Sequence, residues 1–228
     1  MRLHIVRHGQ THWNAVRRIQ GQLESELNDN GKQQARDRGA DIADLHLSAV
    51  YSSSSVRTRQ TTALILGERN DFVTFRDDLR EVRLGIWQGR MWADVEKAHP
   101  KLVEAHRVAS PSFEVEGAEN SYEVQKRGVR AIESIISAHT GAPDDANILI
   151  VSHGAIMKTI LAHYSNVALG TLHTLPELPN CAHCIITVDR HLRSVEQIAS
   201  TPFNETSWTQ AAKQPSLTTV DMNNVPRA

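Results

Sequence analysis

Two short apolar runs, residues 3–6 and 148–151, lie far apart in the chain and end alike. Apart from His4 neither contains a polar residue, the pattern of a strand buried on both faces. The first runs into Arg7-His8-Gly9 and the second into Ser152-His153-Gly154. Elsewhere the period lengthens. From about Lys32, small or apolar residues recur at Ala35, Gly39, Ile42 and Leu45, which predicts a helix with one buried face. Asn28-Asp29-Asn30-Gly31 ahead of it is a turn and capping signal. Residues 49–51 predict a strand that opens into four serines, 52–55, placed to cap a helix carrying Arg57 in its first turn, with Ala63 and Leu66 further along.

Residues 72–75 predict a further strand. A long helix ends near His139, with Val129, Ile132, Ile135 and Ile136 apolar and Gly141 and Pro143 beyond it. Another helix, 155–164, leaves the second strand-His-Gly unit. Residues 184–188 and 192–198 read as two strands joined through 189–191. Strands alternating with helices predict an α/β fold: a three-layer α/β/α sandwich around a mostly parallel sheet. The texture changes between about 86 and 120, where Trp87, Trp92, His99, His106 and Phe113 are interleaved and Pro100 and Pro111 break the period. That stretch predicts a small helical lid inserted into a domain spanning 1–199, with Trp92 and Phe113 as an apolar wall. Residues 200–228 are polar and weakly patterned, and predict a loosely packed tail.

Composition narrows the class. The chain has 228 residues and a formal net charge of -1, so no global field recruits nucleic acid or an anionic membrane. Any attraction for an anion must be local. Its two cysteines make no disulfide framework. No apolar run approaches the roughly 20 residues a membrane span needs. With Met1-Arg2 leading straight into the first strand, the expectation is a soluble, cytoplasmic protein. Assembly as a homodimer is left open.

The two His-Gly units carry the chemistry. In an open α/β sheet, ligands bind at the carboxyl ends of the strands, so His8 and His153 are placed to face one pocket. Gly9 suits a tight turn just where Arg7 and His8 emerge. An arginine fork accepts two oxygens of a phosphate or carboxylate. A histidine beside it is a nucleophile when neutral, and neighbouring positive charge favours that form. Gly154 opens a helix whose free N–H groups offer an anion site. Arg57 opposes the dipole of its own helix, a conflict that a bound anion removes. Glu81, between a strand and a glycine turn, is a candidate proton donor.

These residues carry a family resemblance. Residues 6–11 with Trp13-Asn14 resemble the opening motif of the histidine phosphatase superfamily, the phosphoglycerate-mutase-like proteins. The likeness continues through 18–22, 31–35, 51–53 with Arg57, 60–63, 79–81 with Gly85, Trp87 and Gly89, 117–127 and 151–154. It implies a phosphoric monoester hydrolase of the histidine acid phosphatase type, acting on a small phosphorylated metabolite without cofactor. His8 would carry the phosphoryl group as phosphohistidine. Arg7, Arg57 and His153 would hold its oxygens, and Glu81 would protonate the leaving oxygen. Asn14, Gln20, Gly21 and Arg59 would line the phosphate and substrate site. The sequence Val82-Arg83-Leu84-Gly85 after Glu81 resembles the phosphatase branch, since mutases usually follow that acid with an Arg-His-Tyr-Gly type sequence.

Rival readings are a cofactor-dependent phosphoglycerate mutase and a non-catalytic phospholigand-binding module. Cys181-Ala182-His183-Cys184 has the look of a zinc or redox element but lacks the second pair of ligands a structural zinc requires. His8, His153 and Glu81 could also form a metal site of two histidines and a carboxylate. Arg7 and Arg57 argue against it, because two converging cations repel a divalent ion.

Overall fold

The computed structural model describes residues 1–190 and 192–213. Among them, seven strands form one sheet: β1 (Arg2–Arg7), β2 (Leu47–Ser53), β3 (Val73–Arg76), β4 (Asn147–Ser152), β5 (His183–Asp189), β6 (Leu192–Ile198) and β7 (Thr201–Pro202). The order across the sheet is β3-β2-β4-β1-β5-β6-β7. The first four in that order are mutually parallel, and β5 to β7 continue the sheet antiparallel. The helices are α1 (His12–Ala15), α2 (Asp29–Asp41), α3 (Val56–Leu66), α4 (Trp92–Ala98), α5 (Pro100–Arg107), α6 (Ser121–Ala138), α7 (Gly154–Ser165) and α8 (Trp208–Ala212).

The three layers follow from the alternation of side chains along buried strands. Leu3 and Ile5 of β1, with Ile148 and Ile150 of β4, point to the face where Ile132 and Ile135 of α6 and Ile156 and Ile160 of α7 pack. Val6, Leu149 and Val151 point to the other face, against Ala35 of α2 and Ile65 and Leu66 of α3. Both faces of the central strands are therefore apolar, which is why their sequence shows no alternation.

Several local details differ from what the pattern predicts. Helix α2 starts three residues before Lys32, because the Asn28 side chain accepts the Gly31 N–H at 2.8 Å and caps it earlier. The serines do not cap α3. Ser55 stands at its N-cap without a side-chain bond, and the Val56 N–H donates instead to Glu24 Oε2 at 2.9 Å. The stretch 86–120 does form two short helices, α4 and α5, but it is no detached flap. Trp87 is 1% exposed and meets Trp92, His106 and Phe113 edge to face, and Val95 and Val103 belong to the α6/α7-side core.

The expected loose tail is also corrected up to residue 213. Trp208 is 2% exposed in the same core, and Phe203 packs beside it. Two aromatics in a polar stretch make no helical or strand period, yet burying the Trp208 ring contributes roughly 1.5–3 kcal/mol or more and holds α8 in place. Residues 214–228 lie outside the described residues.

Candidate active site

Parallel pairing of β1 with β4 puts Arg7 opposite Ser152, so the residues that follow each strand, His8 and His153, leave the sheet side by side. Their rings lie 5.3 Å apart, centroid to centroid, at 64°. Both are buried, at 3% and 0% exposure. Arg57, 1% exposed, arrives from the first turn of α3, and its Nε donates to His153 Nδ1 at 3.1 Å.

The hydrogen bonds assign the tautomers. His8 Nδ1 lies 2.7 Å from the Gly9 carbonyl oxygen, which can only accept, so Nδ1 carries the proton and Nε2 keeps its lone pair. His153 is the reverse: Nδ1 accepts from Arg57, leaving Nε2–H to donate to Ser53 Oγ at 2.8 Å. Burial first, then the charges of Arg57 and Arg7, push the His8 pKa well below its ordinary value. Burial and Arg57 do the same to His153. Both imidazoles are neutral at pH 7. Burial brings Arg57 down to about 10, against the opposing pull of Glu81, which leaves it cationic.

In the first turn of α3, Arg57 is met by backbone carbonyls. Its Nη2 and Nη1 donate to the Gly21 and Leu23 carbonyls at 2.7 and 2.9 Å, so the loop after α1 solvates its charge in place of water. With Nε on His153, three of its five N–H groups are used and two remain. Arg7 donates through Nη1 to the Leu178 carbonyl, while its buried Nε has no partner among the described residues. Gly154 packs closely beside it: a Cβ there would stand 3.2 Å from that Nε and 3.3 Å from Cζ, so a larger residue would shift the guanidinium. Gly9 is glycine for a similar reason rather than for a turn, since a Cβ would meet the Gly31 carbonyl oxygen at 2.4 Å.

Glu81 reaches the cluster from the loop after β3. The N–H groups at the start of α7, predicted as an anion site, are occupied by its carboxylate. Ala155 donates to Oε2 at 3.1 Å, and Ile156 and Val82 donate to Oε1 at 3.0 Å. Oε1 thus accepts two bonds and Oε2 one, so Oε2 is the oxygen with room for a proton.

The remaining predicted residues divide. Asn14 is partly committed, its Oδ1 accepting from Thr11 in the capping box of α1, with the amide end left over. Gln20 is buried, and its Oε1 has no partner among the described residues. Gly21 serves through its carbonyl on Arg57. Arg59 is not brought in: it is exposed, donates to the Ser54 carbonyl at 2.9 Å and lies over the Phe75 ring at 3.9 Å.

Three supports went unread in the sequence. Ser53 fixes His153, as above. Thr61 accepts the Gly9 N–H at 3.0 Å, and it lies four residues after Arg57, on the same helix face, a spacing that was visible. Arg127 donates to the Asp78, Arg80 and Glu81 carbonyls and pairs with Glu119 at 2.9 Å, holding the Glu81 loop. Ser53, Thr61 and Arg127 all fall inside stretches that carry the family resemblance, but no local pattern gave Arg127 this role. Beside the cluster lies a cavity of about 430 Å³, walled by Val82 and Ala155 on the Glu81 side. Neither histidine lines it, so it is a neighbour of the reactive atoms and not their seat.

A neutral imidazole with a free nitrogen, flanked by Arg7 and the buried Arg57 at the carboxyl ends of parallel strands, marks an α/β protein with a histidine at the centre of a cationic cluster. The chain belongs to the histidine phosphatase superfamily, branch 1, whose model matches residues 3–201. It is 30% identical over 182 residues to a probable phosphoglycerate mutase, GpmB, of Erwinia tasmaniensis, covering 80% of this chain and 82% of that one. A metal-independent phosphoserine phosphatase of Arabidopsis thaliana is 32% identical over 161 residues, 68% of this chain and 65% of the relative. Among solved structures, Bacillus stearothermophilus YhfR superposes with a TM-score of 0.80 at 30% identity, covering 88% of this chain and 96% of that one. The cysteines of the decoy motif are both buried, their thiols pushed up by burial to about 12 for Cys181 and about 11 for Cys184.

Proposed function

We propose that this chain hydrolyses phosphomonoesters through a phosphohistidine formed on Nε2 of His8, without a metal ion. The observation that carries the reading is the unpartnered, buried Nε of Arg7 beside a neutral His8. A buried guanidinium N–H without an acceptor is costly, and a phosphoryl oxygen is the acceptor that would relieve it. Attack by Nε2 forms the N–P bond as the P–O bond to the alcohol breaks. The proton needed by the leaving oxygen comes from Oε2 of Glu81. In the second half, Glu81 takes a proton from water as water displaces His8. Arg7 and the two uncommitted N–H groups of Arg57 stabilise charge spreading over the phosphoryl oxygens. His153 reaches such an oxygen only by exchanging its bond to Ser53.

Trapping tests the reading. Labelled substrate quenched without acid is expected to leave phosphate on His8, labile in acid and stable in base. Full activity of His8→Ala would overturn it. The likeness to a probable phosphoglycerate mutase favours a second reading, phosphoryl transfer back to the product. With 3-phosphoglycerate the hydrolase releases inorganic phosphate, whereas the mutase converts it to 2-phosphoglycerate.

A further inference from the structure

Arg57 and Glu81 are joined by two routes. The first runs through the histidines' own elements: Arg57 Nε holds His153, α7 follows His153 directly, and the first N–H groups of α7 hold the Glu81 carboxylate. The second bypasses the histidines. Glu24 Oε2 accepts the Val56 N–H at 2.9 Å, one residue before Arg57. Glu24 Oε1 accepts from Arg80 Nη2 at 2.9 Å, one residue before Glu81. Together the two routes close a ring that contains both residues.

The loop before Glu24 reinforces the second route. Its carbonyls alternate in their duty, with Gly21 and Leu23 on Arg57 and Gln22 on Arg80 Nη2 at 2.7 Å. Gln22 Nε2 also donates to the Glu81 carbonyl at 3.0 Å. Arg80 is held on its far side as well: Nη1 donates to Ser54 Oγ at 3.3 Å, and its own carbonyl accepts Arg127 Nη1 at 2.7 Å. Glu24 is felt electrostatically at Arg57, where it joins Glu81 in opposing the effect of burial.

Stability does not account for this arrangement. The Arg80 and Glu24 side chains are 23% and 41% exposed, and an ion pair so open to water contributes little. The buried Nε of Arg80 has no acceptor among the described residues, a cost that a purely stabilising contact avoids. What the pair holds is a geometry.

We propose that Glu24 and Arg80 are positioning residues that set the separation of Arg57 from Glu81. The inference rests on the phosphatase reading, in which Arg57 stabilises the phosphoryl oxygens while Glu81 protonates the leaving oxygen. Groups that act in one step are sensitive to placement, and an error of about 1 Å can cost ~10²-fold. The demand differs between esters. An alkyl leaving group needs both residues at once, whereas nitrophenolate leaves without a proton and needs Arg57 alone.

Burst rates with hexyl phosphate and nitrophenyl phosphate test it in Glu24→Gln, Arg80→Lys and the double variant. Glu24→Gln keeps an acceptor for the Val56 N–H and removes the ion pair. Arg80→Lys keeps the charge but cannot span Gln22, Glu24 and Ser54 together. Each single variant is expected to slow the hexyl phosphate burst about tenfold or more, with the nitrophenyl burst changed by less than roughly twofold. Thermal midpoints should stay close to wild type. The double variant should be no slower than the slower single, because the pair acts as a unit. Equal slowing of both esters, no slowing of either, or losses that multiply in the double variant overturns the inference. The phosphatase reading survives each of those results, provided wild type turns over nitrophenyl phosphate through His8. A wild type that hydrolyses neither ester removes both.

Discussion

Arg57 Nε donates to His153 Nδ1 at 3.1 Å, and this one bond fixes which nitrogen of His153 carries the proton. It also explains the chain of supports around it. Arg57 holds His153 and the Gly21 loop, while Thr61, one turn later on α3, holds the Gly9 N–H. A single helix face therefore orients both histidines.

Lysine should not replace that arginine. A lysine keeps the charge but cannot address His153, Gly21 and Leu23 together with spare N–H groups for an anion. Arg57→Lys is expected to lower kcat by about 10²–10³-fold, the usual loss when a positioned donor at a reacting oxyanion is removed. Steady-state kinetics with nitrophenyl phosphate reads it, and near-wild-type turnover would refute the positioning argument.

Glu81→Gln separates acid catalysis from pocket shape. An alkoxide is a poor leaving group at neutral pH, so loss of the acid should slow the burst with alkyl phosphates by about 10²–10⁴-fold. Nitrophenolate leaves without a proton, and its burst should scarcely change. Equal loss for both substrates would reduce Glu81 to a cap on α7.

The two arginines at His8 set an expectation of metal independence. Dialysis against EDTA should leave turnover intact, and vanadate should inhibit. Activity lost on chelation and restored only by a divalent ion would favour the rival metal site of His8, His153 and Glu81.

Buried neutral histidines make a prediction about acid. His4 Nδ1 and His183 Nε2 lie 3.0 Å apart on neighbouring strands β1 and β5. Burial, then the proximity of His4, lowers His183 to about 3, and burial lowers His106 to about 4. In the unfolded chain both titrate near ~6.5. Between those values the unfolded state binds more protons, so stability present above about pH 6.5 is lost progressively as pH falls. Denaturation midpoints measured from about pH 7.5 down to about 5 should decline, and His183→Gln should flatten the slope. A midpoint that stays constant over that interval would contradict the neutral pair.

Activity should behave oppositely in the same range. His8 is held neutral by burial, Arg57 and Arg7, so its protonation does not produce an acid limb in kcat/KM near pH 6.5. A limb there that vanished on removing Arg7's charge would be inconsistent with that order of effects.

The central strands, the alternating architecture and the His-Gly termini of β1 and β4 were legible in the chain itself. Buried strands and helix periods are local patterns, and a glycine or a charged pair at a strand end can be read in place. The resemblance then brought Arg7, Arg57 and Glu81 to the same centre. Partnerships between segments far apart in the chain emerge only once the sheet has assembled. Glu24 capping α3, Glu81 capping α7 and Arg127 holding the Glu81 loop join elements whose approach depends on sheet order. The outward position of Arg59 was hidden for the same reason, since Phe75 reaches it only through the pairing of β2 with β3. Trp208 shows the limit most simply: with Phe203 it makes no period, and its burial is set by the packing of α8 against α7 and the core, which no local pattern encodes.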